Sequence, residues 1–198
     1  LAFVTKNNGV DEIRIIDITK KKHLRTIKTK LQFISSPDWS FQGNNLVFSG
    51  IEDGFSDLYL FDLTSDTLIK LTSSIQVESD PRFSPNGMEI VYSIQDTCLS
   101  SDASTGIYGK TSADLQLLNI NTREIRFLTT TPWNEKQPSF SPDGNHISYI
   151  SDRNGIDNIY IAPLDSFTDA KAVTDYIGSC SNPDWSGSLI AFGLFQHQ

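Results

Sequence analysis

The chain has 198 residues, 38% hydrophobic and 20% charged, a soluble globular composition with length enough for a sizeable core. Its 16 basic and 24 acidic residues leave a net charge of −8, which argues against nucleic acid, because that binding rests on neutralising phosphates. No apolar run approaches the ~18 residues of a membrane span, and the two cysteines, Cys98 and Cys180, make neither a disulfide framework nor a zinc site.

The chain reads as a repeat of four short strands, A to D. Residues 1–30 fit one unit without its first strand. Leu1-Ala2-Phe3-Val4-Thr5 carries no initiator Met and no charged leader, so either a leader is gone or the chain is an excerpt, and the repeat favours an excerpt. Asn8-Gly9-Val10-Asp11-Glu12-Ile13 matches Asn154-Gly155-Ile156-Asp157-Asn158-Ile159 position for position. Lys20-Lys21-Lys22-His23, with Arg25, Lys28 and Lys30, is the only basic run. It falls on the C–D turn and outer strand D, where lysines block edge-to-edge sheet pairing; a partner-docking patch is the sharper reading.

Unit 37–72 opens strand A on Pro37, with Trp39 following, and places strand B at 46–49, C at 57–63 and D at 68–72. Unit 81–129 repeats this from Pro81 and Phe83, with Ser84-Pro85-Asn86-Gly87 as the A–B turn, B at 90–93, C at 114–120 and D at 124–129. Unit 138–174 carries the clearest turn, Ser141-Pro142-Asp143-Gly144: Pro presets φ, Asp tolerates the next position and Gly takes the left-handed one. Its strand B is expected at 146–150 and its strand C at 158–164. A partial unit, 183–198, holds Pro183, Trp185 and strand B at 189–192. The B runs are apolar throughout, as in strands buried on both faces; the C runs alternate more, as nearer a blade's outside. Strand D is expected to end on a Thr, at Thr72, Thr129 and Thr174. No helical stripe runs through three turns.

The prolines set the period: 44 residues from Pro37 to Pro81, 57 from Pro81 to Pro138 and 45 from Pro138 to Pro183. A single insertion, 95–112, lengthens the middle one. A 40–45 residue period with about four strands per unit defines an all-β chain, a β-propeller of four-stranded antiparallel blades with about four repeats present, in one domain spanning 1–198. In strand A the aromatic (Trp39, Phe83, Phe140, Trp185) is expected to wedge between blades. Alternation then puts its neighbours Asp38, Arg82, Ser139 and Asp184 near the mouth of the central channel.

Chemistry-bearing motifs are few. Asp152-x-Asn154-x-x-Asp157 offers oxygen ligands, but lacks the calcium-loop spacing and the bidentate Glu, and Asn-Gly and Asp-Gly are ordinary turn chemistry. There is no Gly-x-Ser-x-Gly elbow, and His23, His146 and His197 are scattered. No catalytic group, metal or cofactor is implied. The insertion, with Cys98, Ile107 and Tyr108, is where the repeat fails and where a binding element is expected. Cys98 on a B–C loop and Cys180 on a D–A loop would share a face, so a disulfide between them stands beside the plainer reading of two free thiols.

Across essentially the whole chain these residues resemble the TolB-type propeller repeat, a WD-like unit. Unit 138–174 matches best, through Pro138, Phe140-Ser141-Pro142-Asp143-Gly144, Ile147, Tyr149, Ser151, Asn158-Ile159-Tyr160 and Val173-Thr174. The resemblance implies a ring of six or more blades, of which this chain is a segment. It implies a non-catalytic protein- or peptide-binding propeller in a periplasmic or cell-envelope setting, where TolB meets its lipoprotein partner. The partner would meet Asp38, Arg82, Ser139, Asp184, Ile107 and Tyr108, on a face shared by the B–C loops, the insertion and the channel mouth. The alternative reading is the gating propeller of a prolyl-oligopeptidase-like serine peptidase, with its catalytic domain outside this chain. A carbohydrate-lyase propeller would need a cluster of metal-binding histidines.

Overall fold

The computed structural model describes residues 1–95 and 112–195, and the backbone of 101–102 and 107–108. Its sheets follow one another along the chain. β1 (Ala2–Asn7), β2 (Val10–Asp17) and β3 (Lys22–Lys28) form a three-stranded sheet. β4 (Phe33–Trp39), β5 (Asn45–Glu52), β6 (Phe55–Asp62) and β7 (Thr67–Lys70) form a four-stranded meander. In the next sheet β8 (Val77–Phe83) and β9 (Glu89–Gln95) precede the insertion, where β10 (Ser101–Asp102) pairs with β11 (Ile107–Tyr108). β12 (Ala113–Asn119) and β13 (Ile125–Phe127) complete that sheet after it. β14 (Glu135–Phe140), β15 (His146–Ser151), β16 (Asn158–Pro163) and β17 (Lys171–Ala172) repeat the order, and β18 (Ser179–Ser186) pairs with β19 (Leu189–Phe195). Among the described residues all pairings are antiparallel, and one 3-10 turn at Phe167–Asp169 accompanies the strands.

The turns follow from their residues. Asn8-Gly9 and Asp53-Gly54 have φ of 50° and 83°, and 52° and 86°. These are the paired left-handed values of the two-residue hairpin that matches strand twist. At the other end of the blades Ser40, Ser84 and Ser141 close the A–B hairpins of the second, third and fourth blades. Ser141 Oγ accepts the His146 N–H at 2.9 Å, and Ser84 Oγ accepts the Glu89 N–H at 3.0 Å.

Strand A differs from the expectation that Pro opens it. β4 begins four residues before Pro37, and the pairing register with β5 shifts between Ser35 and Asp38. The same shift brackets Pro81, Pro138 and Pro183. The residue before each proline, Ser36, Asp80, Gln137 or Asn182, has φ between 50° and 54°. These are β-bulges, and a bulge is where a strand tolerates a residue without an N–H. Strand D also stops short of its Thr, at Lys70 and at Phe127. Strand C, read from its alternation as nearer the blade's outside, is buried on both faces: Leu58, Tyr59, Leu60 and Phe61 are all core. The reason is that the second sheet is packed between the first and the third, so its strand C is covered on both faces while its strand D, β7, stays exposed.

The cores lie between sheets. Leu46, Phe48, Tyr59 and Phe61 pack back against Ile13, Ile15 and Ile27 of the first sheet. Their alternate neighbours Val47, Leu58 and Leu60 pack forward with Phe83, Ile90, Tyr92 and Leu118 of the third. Phe140 sits equivalently among Val91, Leu115 and Leu117. Phe83 and Phe140 are thus the interblade wedges the sequence implies, each burying roughly 150–250 Å², or several kcal/mol at ~25 cal/mol per Å².

Candidate functional site

The bulge decides where strand A aims its side chains. After the extra residue and the proline, one residue remains before the aromatic, and in β4, β8, β14 and β18 it turns toward the same space. Asp38, Arg82, Ser139 and Asp184 line a single cavity of about 310 Å³. Trp39, Phe83, Phe140 and Trp185 supply its apolar wall, and Phe41, Pro85 and Pro142 from the A–B turns rim it. The sequence reading set these four residues on the face of the B–C loops. They lie instead at the opposite end of strand A, because Pro stands near the end of that strand and not at its start. The insertion carrying Ile107 and Tyr108 leaves β9 and returns to β12 at the B–C end, so its roots are not beside this cavity. The backbones of Asp102 and Ile107 pair there.

Polar contacts stitch the cavity wall from blade to blade. The Phe83 N–H donates to Asp38 Oδ2 at 2.8 Å, and the Arg82 guanidinium stands 3.8 Å from Asp38 Oδ1. Ser139 Oγ donates to Asp184 Oδ1 at 3.3 Å. One tier higher, Ser36 Oγ donates to Asp80 at 2.8 Å and the Asn182 N–H donates to Gln137 Oε1 at 2.8 Å. Burial pushes the Asp38 carboxyl up from its ordinary range, against the Phe83 N–H and Arg82, and the Asp184 charge adds to the push. Trp185 Nε1 is buried without a hydrogen-bond partner. The aromatic wall was flagged only as blade packing, and no sequence signal tied it to the cavity.

The threonines form a second polar set, at the B–C end. Thr72 Oγ1 accepts the Leu58 N–H at 2.9 Å, Thr129 the Leu115 N–H at 2.9 Å and Thr174 the Ile159 N–H at 2.8 Å. Their hydroxyls finish strand C rather than strand D. Asp57, Asp114 and Asn158 each accept an N–H of the following loop, from Ser74, Thr131 and Tyr176, at 3.0 Å. The next blade adds a third member: Glu78 is hydrogen-bonded to Thr72, and Cys180 Sγ lies 3.7 Å from Thr174 Oγ1. Glu135 holds that place in the middle seam, with Arg153 at 2.5 Å. The Arg153 guanidinium stacks 4.4 Å from the Tyr160 ring centre, with Trp133 and Tyr149 also within reach. Burial raises both Glu78 and Glu135 above the usual carboxylate range.

Other sequence candidates resolve into scaffold. Asp152 accepts the Asn134 N–H at 2.8 Å and its amide at 2.6 Å, and Asp157 pairs with Lys136 at 3.0 Å. They tie a B–C loop to the incoming strand. Lys22 and His23 lie exposed on the outer strand β3, where edge protection places them. Cys180 belongs to β18, not to a loop; its pairing with Cys98 falls outside the described residues. Among the described residues no helix is long and apolar enough to cross a membrane.

Sequential four-stranded meanders, packed face to face with their A strands round one cavity, define a β-propeller repeat protein. No protein-family model matches the chain. Among curated relatives, the Tol-Pal system protein TolB of Francisella tularensis subsp. mediasiatica (strain FSC147) is 30% identical over 133 residues, 67% of this chain and 28% of its own length. The subsp. tularensis (strain FSC 198) protein matches to the same extent. The chain therefore spans just over a quarter of these relatives. Among solved structures, TolB from Acinetobacter baumannii superposes with a TM-score of 0.74 at 18% identity, over 98% of this chain and 48% of that one. A putative TolB from Agrobacterium tumefaciens gives 0.78 at 18%, over 99% and 70%. The tricorn protease gives 0.68 at 16%, over 92% and 21%. The chain is a TolB-like β-propeller repeat protein.

Proposed function

We propose that this is a non-catalytic binding propeller of TolB type that receives a protein or peptide partner in the cell envelope. The observation that carries the reading is the convergence of Asp38, Arg82, Ser139 and Asp184 on one aromatic-walled cavity at the A–B end of the blades. Such a wall supplies apolar area and its floor supplies charges of both signs, the combination that anchors an inserted loop or chain end. The envelope setting and a Pal-type partner are supported by the Tol-Pal relatives. The gating reading is supported only by fold, since the tricorn protease and a prolyl endopeptidase share 16% and 10% identity with this chain.

A photo-crosslinking residue at Ser139 tests the placement, with one at Leu68 on the outer strand as control. Capture of the organism's own Pal protein from Ser139 and not from Leu68 is the expected result. Capture from Leu68 alone would move the site to the blade edge.

A further inference from the structure

Three A–B turns share one hydrogen-bonding plan, and one of them carries a residue the plan does not ask for. In Ser40-Phe41-Gln42-Gly43, Ser84-Pro85-Asn86-Gly87 and Ser141-Pro142-Asp143-Gly144 the Ser N–H donates across the hairpin. Its acceptors are the carbonyl oxygens of Asn45, Glu89 and His146, at 3.0, 2.8 and 2.9 Å. The Gly N–H donates back to the Ser carbonyl oxygen at 2.8, 2.9 and 2.9 Å, with Gly φ of 71°, 71° and 75°. None of these bonds uses the second residue. Two of the turns place a proline there, which has no N–H and presets φ. The fold therefore does not require phenylalanine at position 41.

Nor does core packing. Phe41 is 82% exposed, whereas the interblade wedges Phe83 and Phe140 are 8% and 7% exposed. A lone exposed apolar side chain is ordinary on a protein surface, but Phe41 lines the same cavity as Asp38 and Arg82. Its turn is also braced. Gln42 Oε1 lies 3.0 Å from where a Cβ on Gly87 would stand, and Pro85 Cδ lies 3.6 Å from the same point on Gly144. Successive turns thus touch and form a rim, and the Phe41 ring is presented on it by a closed hairpin.

We infer that Phe41 is the apolar anchor of the cavity and determines what the cavity accepts. Its occupant is a loop or chain end of a protein partner that lays an aliphatic or aromatic side chain on the Phe41 ring and carries an acidic group beside it for Arg82. This rests on the binding reading above and adds to it the residue types the partner brings. Arg82 belongs to the blade next to that of Phe41, and its guanidinium stands 3.8 Å from Asp38 Oδ1, too far for a hydrogen bond. Asp38 Oδ2 already accepts the Phe83 N–H, and Asp184 accepts the Ser139 hydroxyl. The guanidinium therefore keeps N–H donors for a partner carboxylate.

Calorimetric titration of the organism's purified Pal protein into the wild type, Phe41→Pro, Phe41→Ala and Phe55→Ala tests the inference. Phe55, 49% exposed at the B–C end, controls for a ring removed from the opposite face. Phe41→Pro is expected to melt no lower than the wild type, since two sister turns carry proline. Both Phe41 variants are expected to raise Kd at least about 10-fold, and Phe55→Ala to leave it unchanged. Because the lost contact is apolar, the wild-type-to-variant ratio is expected to hold from about 50 to about 500 mM salt, where charge pairs are screened. Equal Kd for the wild type and both Phe41 variants overturns the inference and leaves the binding reading standing. No binding to a folded wild type overturns both. An equal loss in Phe55→Ala, or a ratio that collapses at high salt, removes the apolar anchor from Phe41. If Phe41→Pro does not fold, Phe41→Ala decides.

Discussion

The Asp38 carboxylate accepts the backbone N–H of Phe83 from the neighbouring blade at 2.8 Å, across 45 residues of sequence. A cavity-lining side chain thereby completes the hydrogen bonding of the strand beside it, so the candidate site and the interblade seam share an atom. Removing that acceptor leaves a half-buried N–H unmet. Asp38→Ala is expected to cost about 1–3 kcal/mol in urea unfolding. Asp38→Asn keeps an acceptor and removes a charge that burial disfavours. Its stability should therefore gain on the wild type as pH rises above the ordinary Asp range, a trend readable in paired melting curves. A wild type that gains on the Asn variant with rising pH contradicts this.

Gly50, in the middle of β5, has no room for a side chain. A Cβ there would stand 2.6 Å from Leu31 Cδ1 and 3.0 Å from the Tyr59 ring, both in the core between the first two sheets. Gly50→Ala is expected to destabilise by about 1–3 kcal/mol through overpacking. Gly9→Ala meets no neighbour but loses the left-handed turn at φ of 83°, so its cost is one of backbone strain. A urea midpoint unchanged by Gly50→Ala would show that the Leu31 contact yields freely.

Arg153 joins a buried carboxylate to an aromatic stack, and its removal strands Glu135. Arg153→Met is expected to cost about 3–5 kcal/mol, the usual penalty for leaving a buried charge without its partner. Arg153→Met with Glu135→Gln removes that charge and should recover a large part of the loss. A double-mutant cycle in urea measures the coupling. Simple additivity would mean that Arg153 acts through its ring contacts alone.

The repeat was legible because turn residues and buried apolar runs recur at fixed offsets, and the sheets follow that register from Pro37 to Pro183. The bulge was not, because a proline at a bulge and a proline at a strand start leave the same local trace: both lack an N–H to pair. That ambiguity moved Asp38, Arg82, Ser139 and Asp184 to the wrong end of the channel while keeping them together. The threonines were recognised as landmarks, but their partners Glu78 and Glu135 lie in the next unit. No pattern within one repeat could pair Thr72 with Glu78. The full burial of strand C was not legible from its alternation, because Tyr59 and Phe61 pack into one interblade core while Leu58 and Leu60 pack into the next.

Calorimetric titration of the organism's Pal protein into the wild type and Arg82→Ala is the most direct measurement of the binding reading. Arg82 lies at the cavity wall 3.8 Å from Asp38 and is available to a partner's anionic group. The expected result is saturable binding to the wild type, weakened by at least about 2 kcal/mol, roughly 30-fold, in an Arg82→Ala variant that retains its fold. Binding of equal affinity to both proteins, or no binding to a folded wild type, would contradict the account.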